Sequence, residues 1–137
     1  MSDIQYQPVT PEGWSRPRGY SHGVLARGTT QIRIAGQVGK VPGQASVDPA
    51  ADFGTQWALA MSNLVTVLRA AGAQPEHLVM LRAYVADMED FRKNGAAVAS
   101  AWSETLGKHF PAMTLVQISG FVDPHATVEI EGEALLP

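Results

Sequence analysis

The segment Leu78–Val85 reads LVMLRAYV and carries apolar side chains on both of its alternating faces. Successive residues of a strand point to opposite sides of the sheet. Val79, Leu81, Ala83 and Val85 therefore fall on one side, and Leu78, Met80 and Tyr84 on the other. Further on, Met113 and Leu115 oppose Val116 and Ile118 in the same way. Strands of this kind belong in a sheet covered on both faces. That requirement is severe for a chain of 137 residues, because its two helical segments cover one face only. The second apolar face calls for a sister chain, so the sequence predicts a homo-oligomer in which the uncovered faces meet.

The helices are read from period. Trp57, Met61, Leu64, Val65 and Leu68 share one face at 3.6 residues per turn. They predict a helix over Asp52–Ala71, with Asp52 as N-cap and Gly72 just past its end. Asp87 is expected to cap a second helix that carries Phe91, Val98, Trp102 and Leu106 and stops at Gly107. Asp90 in its first turn complements the helix dipole. Val24–Ala26 and Gln31–Ala35 read as two short strands around the turn Gly28-Thr29-Thr30. Met113–Ser119 and Thr127–Ala134 read as two more. Pro8–Gly23 and Gly36–Asp48, dense in Gly, Pro and polar residues, read as loops. The order is ββ-α-β-α-ββ in one domain over residues 1–137, an α+β layer with two helices on one face of a single sheet.

Composition excludes several classes. There is no cysteine, hence no disulfide, thiolate metal site or thiol nucleophile. Lys and Arg total 10 against 13 Asp and Glu, for a formal charge of −3. The longest basic run is Arg92-Lys93, so no cationic stripe is present to neutralise phosphates and no nucleic-acid partner is expected. No apolar run approaches the roughly 20 residues of a membrane span. The opening MSDIQYQPVT lacks the basic and apolar regions of a secretory leader. The expected setting is cytoplasmic, with no membrane association.

Familiar catalytic signatures fail. G-x-S-x-G, H-E-x-x-H and the phosphate-binding loop are absent, and His22, His77, His109 and His125 have no metal-ligand spacing; no metal is expected. The informative segment is Val128-Glu129-Ile130-Glu131. Its alternation sends Val128 and Ile130 toward the helices and Glu129 and Glu131 to the opposite face, the one assigned to the subunit interface. A carboxylate buried there needs a partner. Either it lies on a solvated edge or forms an interfacial salt bridge with Arg82 or Arg33, or it is a catalytic carboxylate in an intersubunit cleft, its pKa raised by burial.

Several short pieces now fall into one order and spacing: Gly19-Tyr20-Ser21-His22-Gly23-Val24, Ala35-Gly36-Gln37-Val38, Asn63-Leu64 through Ala71-Gly72-Ala73, Tyr84 through Phe91 with Asn94, Phe110-Pro111-Ala112, and Val128 through Glu131. In this the chain resembles the RidA/YjgF family of enamine and imine deaminases over nearly its whole length. The resemblance implies a chorismate-mutase-like fold and a homotrimer with clefts between subunits. Its best-known members hydrolyse 2-imino acids and their enamine tautomers to 2-keto acids and ammonia, which implies here a site without a cofactor that hydrolyses or tautomerises a reactive imine or enamine. The enamine is protonated at carbon, water adds to the C=N carbon, and a carboxylate holds and deprotonates that water. Glu129 lies at the position of the family's acidic residue and Tyr20 at that of its cleft tyrosine.

One departure stands out. In deaminating members Pro-Ala is followed by an arginine that clamps the substrate carboxylate; here Met113 occupies that position, with Leu115 on the same strand face. Losing a buried charge partner costs ~2–5 kcal/mol, roughly 30- to several-thousand-fold in affinity. The expected substrate is therefore larger or less polar than a small 2-imino acid. Arg18 and His22 flank Tyr20, and Gln117 follows Leu115; all three are candidate pocket members. The alternative reading is a non-catalytic trimer that binds or senses a small molecule. Endoribonuclease activity, a label some relatives carry, is disfavoured by the acidic balance and the missing basic stripe.

Overall fold

A computed structural model of the chain describes residues 5–137; the start of the N-terminal segment read above for a leader lies outside them. In chain order the elements are β1 (Gln5–Val9), β2 (Gly23–Arg27), β3 (Thr30–Val38), α1 (Phe53–Ala70), β4 (Leu78–Val85), α2 (Met88–Lys93), α3 (Gly95–Thr105), β5 (Ala112–Gln117) and β6 (Val128–Leu136). The main sheet runs β3-β6-β4-β5, antiparallel except for the parallel pair β4–β5. The α+β class holds, with the helices on one side of this sheet.

Helix α1 follows its periodicity. Trp57, Met61, Leu64 and Leu68 are fully buried, and Asp52 accepts a hydrogen bond from the Thr55 amide at 2.8 Å. That bond holds the Asp52 carboxyl below its ordinary range. At the other end Gly72 takes a left-handed conformation at φ +88°, and the Ala73 amide reaches back to the Leu68 carbonyl at 3.1 Å. The core fills the space between α1, α3 and the inner sheet face, where Leu81, Ala83, Val85, Val128 and Ile130 are buried.

Five differences from the sequence reading have local causes. Gln5–Val9 is a strand, although QYQPV has no alternation and contains a proline; it pairs only with β2, so the proline costs no central ladder bond. β2 thus belongs to a separate two-stranded ribbon and forms no hairpin with β3. β3 also runs three residues into the expected loop, ending at Val38. The second helix is broken in two at Asn94, whose side chain donates back to the Asp90 carbonyl at 2.6 Å and which precedes Gly95. Asn and Gly both favour such local breaks over continued helix. Finally, a register shift between Leu78 and Met80 turns Leu78 inward, where it is fully buried beside Leu81.

This last shift corrects the premise of an apolar outer face. The outer face presents Met80, Arg82 and Tyr84 opposite Glu133, Glu131 and Glu129. Arg82 lies 3.6 Å from both Glu131 and Glu133, and Arg33 meets Glu133 at 2.7 Å. The Tyr84 hydroxyl donates to Glu131, which pushes the phenol pKa up. The face is mostly polar, with Val116 as its exposed apolar residue on β5.

Candidate functional site

Strand β6 places three glutamates in a row on the outer face, and their surroundings differ. Glu131 and Glu133 are engaged by Arg82, Tyr84 and Arg33. Glu129, half-buried, has no ion pair or side-chain hydrogen bond among the described residues. The salt bridge weighed for it from sequence therefore belongs to its two neighbours. Glu129 is crowded from one side by bare backbone: a Cβ on Gly36 would stand 2.7 Å from its Cδ. Only glycine allows strand β3 to pass this close to the carboxylate.

Two side-chain amides, Gln56 buried and Asn63 half-buried, fix the frame around it. Gln56, on α1, accepts from the Thr127 amide at 2.8 Å and donates to the His125 and Ala51 carbonyls, which pins the entry to β6. Asn63 donates to the carbonyls of Val38 and Lys40, which pins the exit of β3. Both satisfy loop carbonyls that a buried chain cannot leave unpaired. Asn63 stands in the segment that carried the family resemblance; Gln56 was not singled out, and its place on the otherwise apolar face of α1 was the available signal.

The other sequence-predicted residues gather on the opposite side of the sheet. Met113 pairs in register with Leu81, and Leu115 with Ala83, so both point toward the helices. They form one wall of a cleft of about 890 Å³. The facing wall comes from Trp57 of α1, Phe91 of α2, and Val98 and Trp102 of α3, with Phe110 at the base of β5. Trp102 stacks on Phe110 at 5.9 Å between ring centroids. The cleft exists because α3 packs along α1 while β5 is the sheet edge, and the groove between them is left unfilled.

Tyr20 stands on the rim of this cleft, 38% exposed. It is placed by Ser21, whose amide donates to the Pro111 carbonyl at 3.1 Å and whose hydroxyl donates to the Phe110 carbonyl at 2.6 Å. These bonds stitch the loop to the start of β5 and set Tyr20 beside Met113. Arg18 is exposed on the same rim, together with Arg92 and Lys108. His22 is turned away from the cleft lining: its ring packs edge-on between Trp14 and Tyr20, and Nε2 donates to the Ser15 carbonyl at 3.2 Å. Gln117 shares the strand face of Met113 but accepts from the Met88 amide at 2.9 Å, where it ties α2 to β5. Sequence reasoning missed the contribution of the helices. Phe91, Val98 and Trp102 carry the period of a core face, and nothing in that period distinguishes packing against a sheet from lining a groove.

One protomer thus divides its candidates. Tyr20, Met113, Leu115 and Arg18 line a helix-side cleft, and Glu129 stands on the other side of the sheet. Among the described residues no helix is long and apolar enough to cross a membrane.

Comparison with known proteins fits this geometry. A family model described as endoribonuclease L-PSP matches residues 15–136. A crystal structure of YyfB from Yersinia pestis, a protein of unknown function of the conserved Rid family, matches with TM-score 0.81 and 30% identity over 96% of this chain and 98% of its own. The YjgF gene product of E. coli matches with TM-score 0.68 and 25% identity over 94% and 98%. E. coli TdcF, solved with bound serine, shares the fold at TM-score 0.69 and 20% identity, over 96% and 99%. No curated protein matches the chain. With the family model spanning nearly the whole chain, and the structures covered almost end to end, the chain belongs to the RidA/YjgF family, a membership that supports a general role on small molecules.

Proposed function

We propose that the protein hydrolyses a reactive imine or enamine in a cleft shared between copies of the chain, with Glu129 of one copy facing Tyr20 and Met113 of the next. One observation carries this reading: of the three glutamates on β6, Glu129 is the one that the protomer leaves without a partner. A half-buried carboxylate with free lone pairs, held against the bare backbone of Gly36, suits a base that orients and deprotonates water. The balance is simple. Water adds across C=N, its proton passes through the carboxylate to nitrogen, and the carbinolamine collapses to a carbonyl compound and ammonia. Met113 and Leu115 in place of a cationic clamp favour a substrate with an apolar group at that point.

The test is ammonia release from imines generated in situ, in a series from 2-iminopropionate to bulkier, less polar members. We expect rates to rise along the series and Glu129→Gln to lower them ~10²- to 10⁴-fold, with the melting temperature unchanged. Turnover that survives Glu129→Gln would refute the role given to Glu129. The second reading, a non-catalytic binder in the same cleft, is favoured by the replacement of the clamp by Met113. Saturable stabilisation by a ligand, with no product from any imine, would select it. RNA cleavage abolished by Glu129→Gln would overturn both.

A further inference from the structure

The cleft between α3 and β5 has a polarity opposite to the one a carboxylate clamp at position 113 would give it. Its depth is apolar, formed by Trp57, Val98, Trp102, Met113 and Leu115. The charged groups that one protomer gives it are all at the mouth and all positive: Arg18, Arg92 and Lys108 are exposed, and no carboxylate of the same protomer lines the cleft among the described residues. Arg92 is held by Glu89 at 2.6 Å. Arg18 and Lys108 have no ion pair among the described residues. The volume of about 890 Å³ exceeds what a small imino acid fills and lies within the range of sites that enclose a ring-bearing ligand.

We infer that this cleft takes an amphipathic anion with an aromatic body, which enters ring first between Trp102 and Met113 and keeps its anionic group at Arg18 and Lys108. Aromatic walls favour a flat ring through edge and offset contacts, and the mouth cations add charge without being desolvated. The inference deepens the proposed function and rests on the same cleft. For an imine substrate, it places the acidic group at the far end of the molecule from Met113.

Two fluorescent probes with one ring system test it: anilinonaphthalene sulfonate and its neutral parent, phenylnaphthylamine. The sulfonate is expected to saturate a single site about tenfold more tightly than the neutral probe. Arg18→Ala with Lys108→Ala should bring the two to parity by weakening the sulfonate alone. Val98→Trp should fill the cleft and remove both signals. Should that variant fail to fold, Ala99→Trp at an exposed cleft position serves the same purpose. Equal affinities in the parent protein, indifference to the rim substitutions, or binding that persists in a folded cleft-filled variant would overturn the inference. Turnover and probe binding are measured on the same preparation, which separates the two readings. Rim-dependent binding without turnover of any imine sustains this inference and refutes the hydrolytic one. Turnover without rim-dependent binding does the reverse.

Discussion

The two faces of the sheet solve opposite problems with neighbouring residues. On the helix side, β5 presents Met113 and Leu115 to a groove of indole and phenyl rings, with cations confined to the mouth. On the outer side, β4 and β6 cover themselves with Tyr84, Glu131 and Glu133, joined through Arg82 into one charged lattice that Arg33 extends at Glu133. The lattice is half-exposed, so its pairs add little to stability; what they do is occupy Arg82 and the Tyr84 hydroxyl, the cation and the donor that β4 brings nearest to Glu129. The carboxylate next in line is left over. The difference teaches that a free group is marked less by its own surroundings than by what its neighbours have already consumed. On the proposed reading each face supplies half of a site, the cleft on one side and the carboxylate on the other.

Substitutions that cross the two characters sharpen this contrast. The largest effect is expected on the helix face. Met113→Arg puts a guanidinium where the floor is apolar, and kcat/KM for 2-iminopropionate should rise ~30-fold or more, while binding of the neutral ring probe falls. No gain toward the small acid would show that position 113 does not read the substrate carboxylate. A smaller effect is expected on the outer face. Gly36→Ala places a Cβ within 3 Å of the Glu129 carboxylate, and turnover should fall about tenfold as the group is displaced, with stability unchanged. A fall in melting temperature in step with turnover would mean that the substitution acts on the fold and not on the carboxylate.

Much of the frame was legible in the sequence because local rules and tertiary demands agree there. The apolar stripe of α1, the caps at Asp52 and Asp87, the left-handed Gly72 and the alternation of β6 all stand where pattern places them. Glu129 and Glu131 were read onto one face, as found. Which of them stays unpartnered was not legible, since that depends on Tyr84 and Arg82 arriving in register from a strand over forty residues earlier. Strict alternation also misplaced Leu78, because a single bulge reverses the face of every residue before it. The cleft was half visible. Met113, Leu115, Tyr20 and Arg18 were named, whereas its aromatic wall was hidden inside a periodicity that equally describes a core. The break at Asn94 was missed because a capping asparagine and a following glycine leave the apolar spacing of the helix intact.

The central claim is that a working site needs Tyr20 and Met113 from one copy and Glu129 from another. The chain has no cysteine, so two can be introduced without background. Tyr20→Cys combined with Glu129→Cys, treated with a short bis-maleimide and run on a denaturing gel, tests the claim without assuming any substrate. The account predicts a ladder reaching three linked chains that neither single variant produces. A double variant that stays at the mass of one chain would place the two residues in sites that never meet.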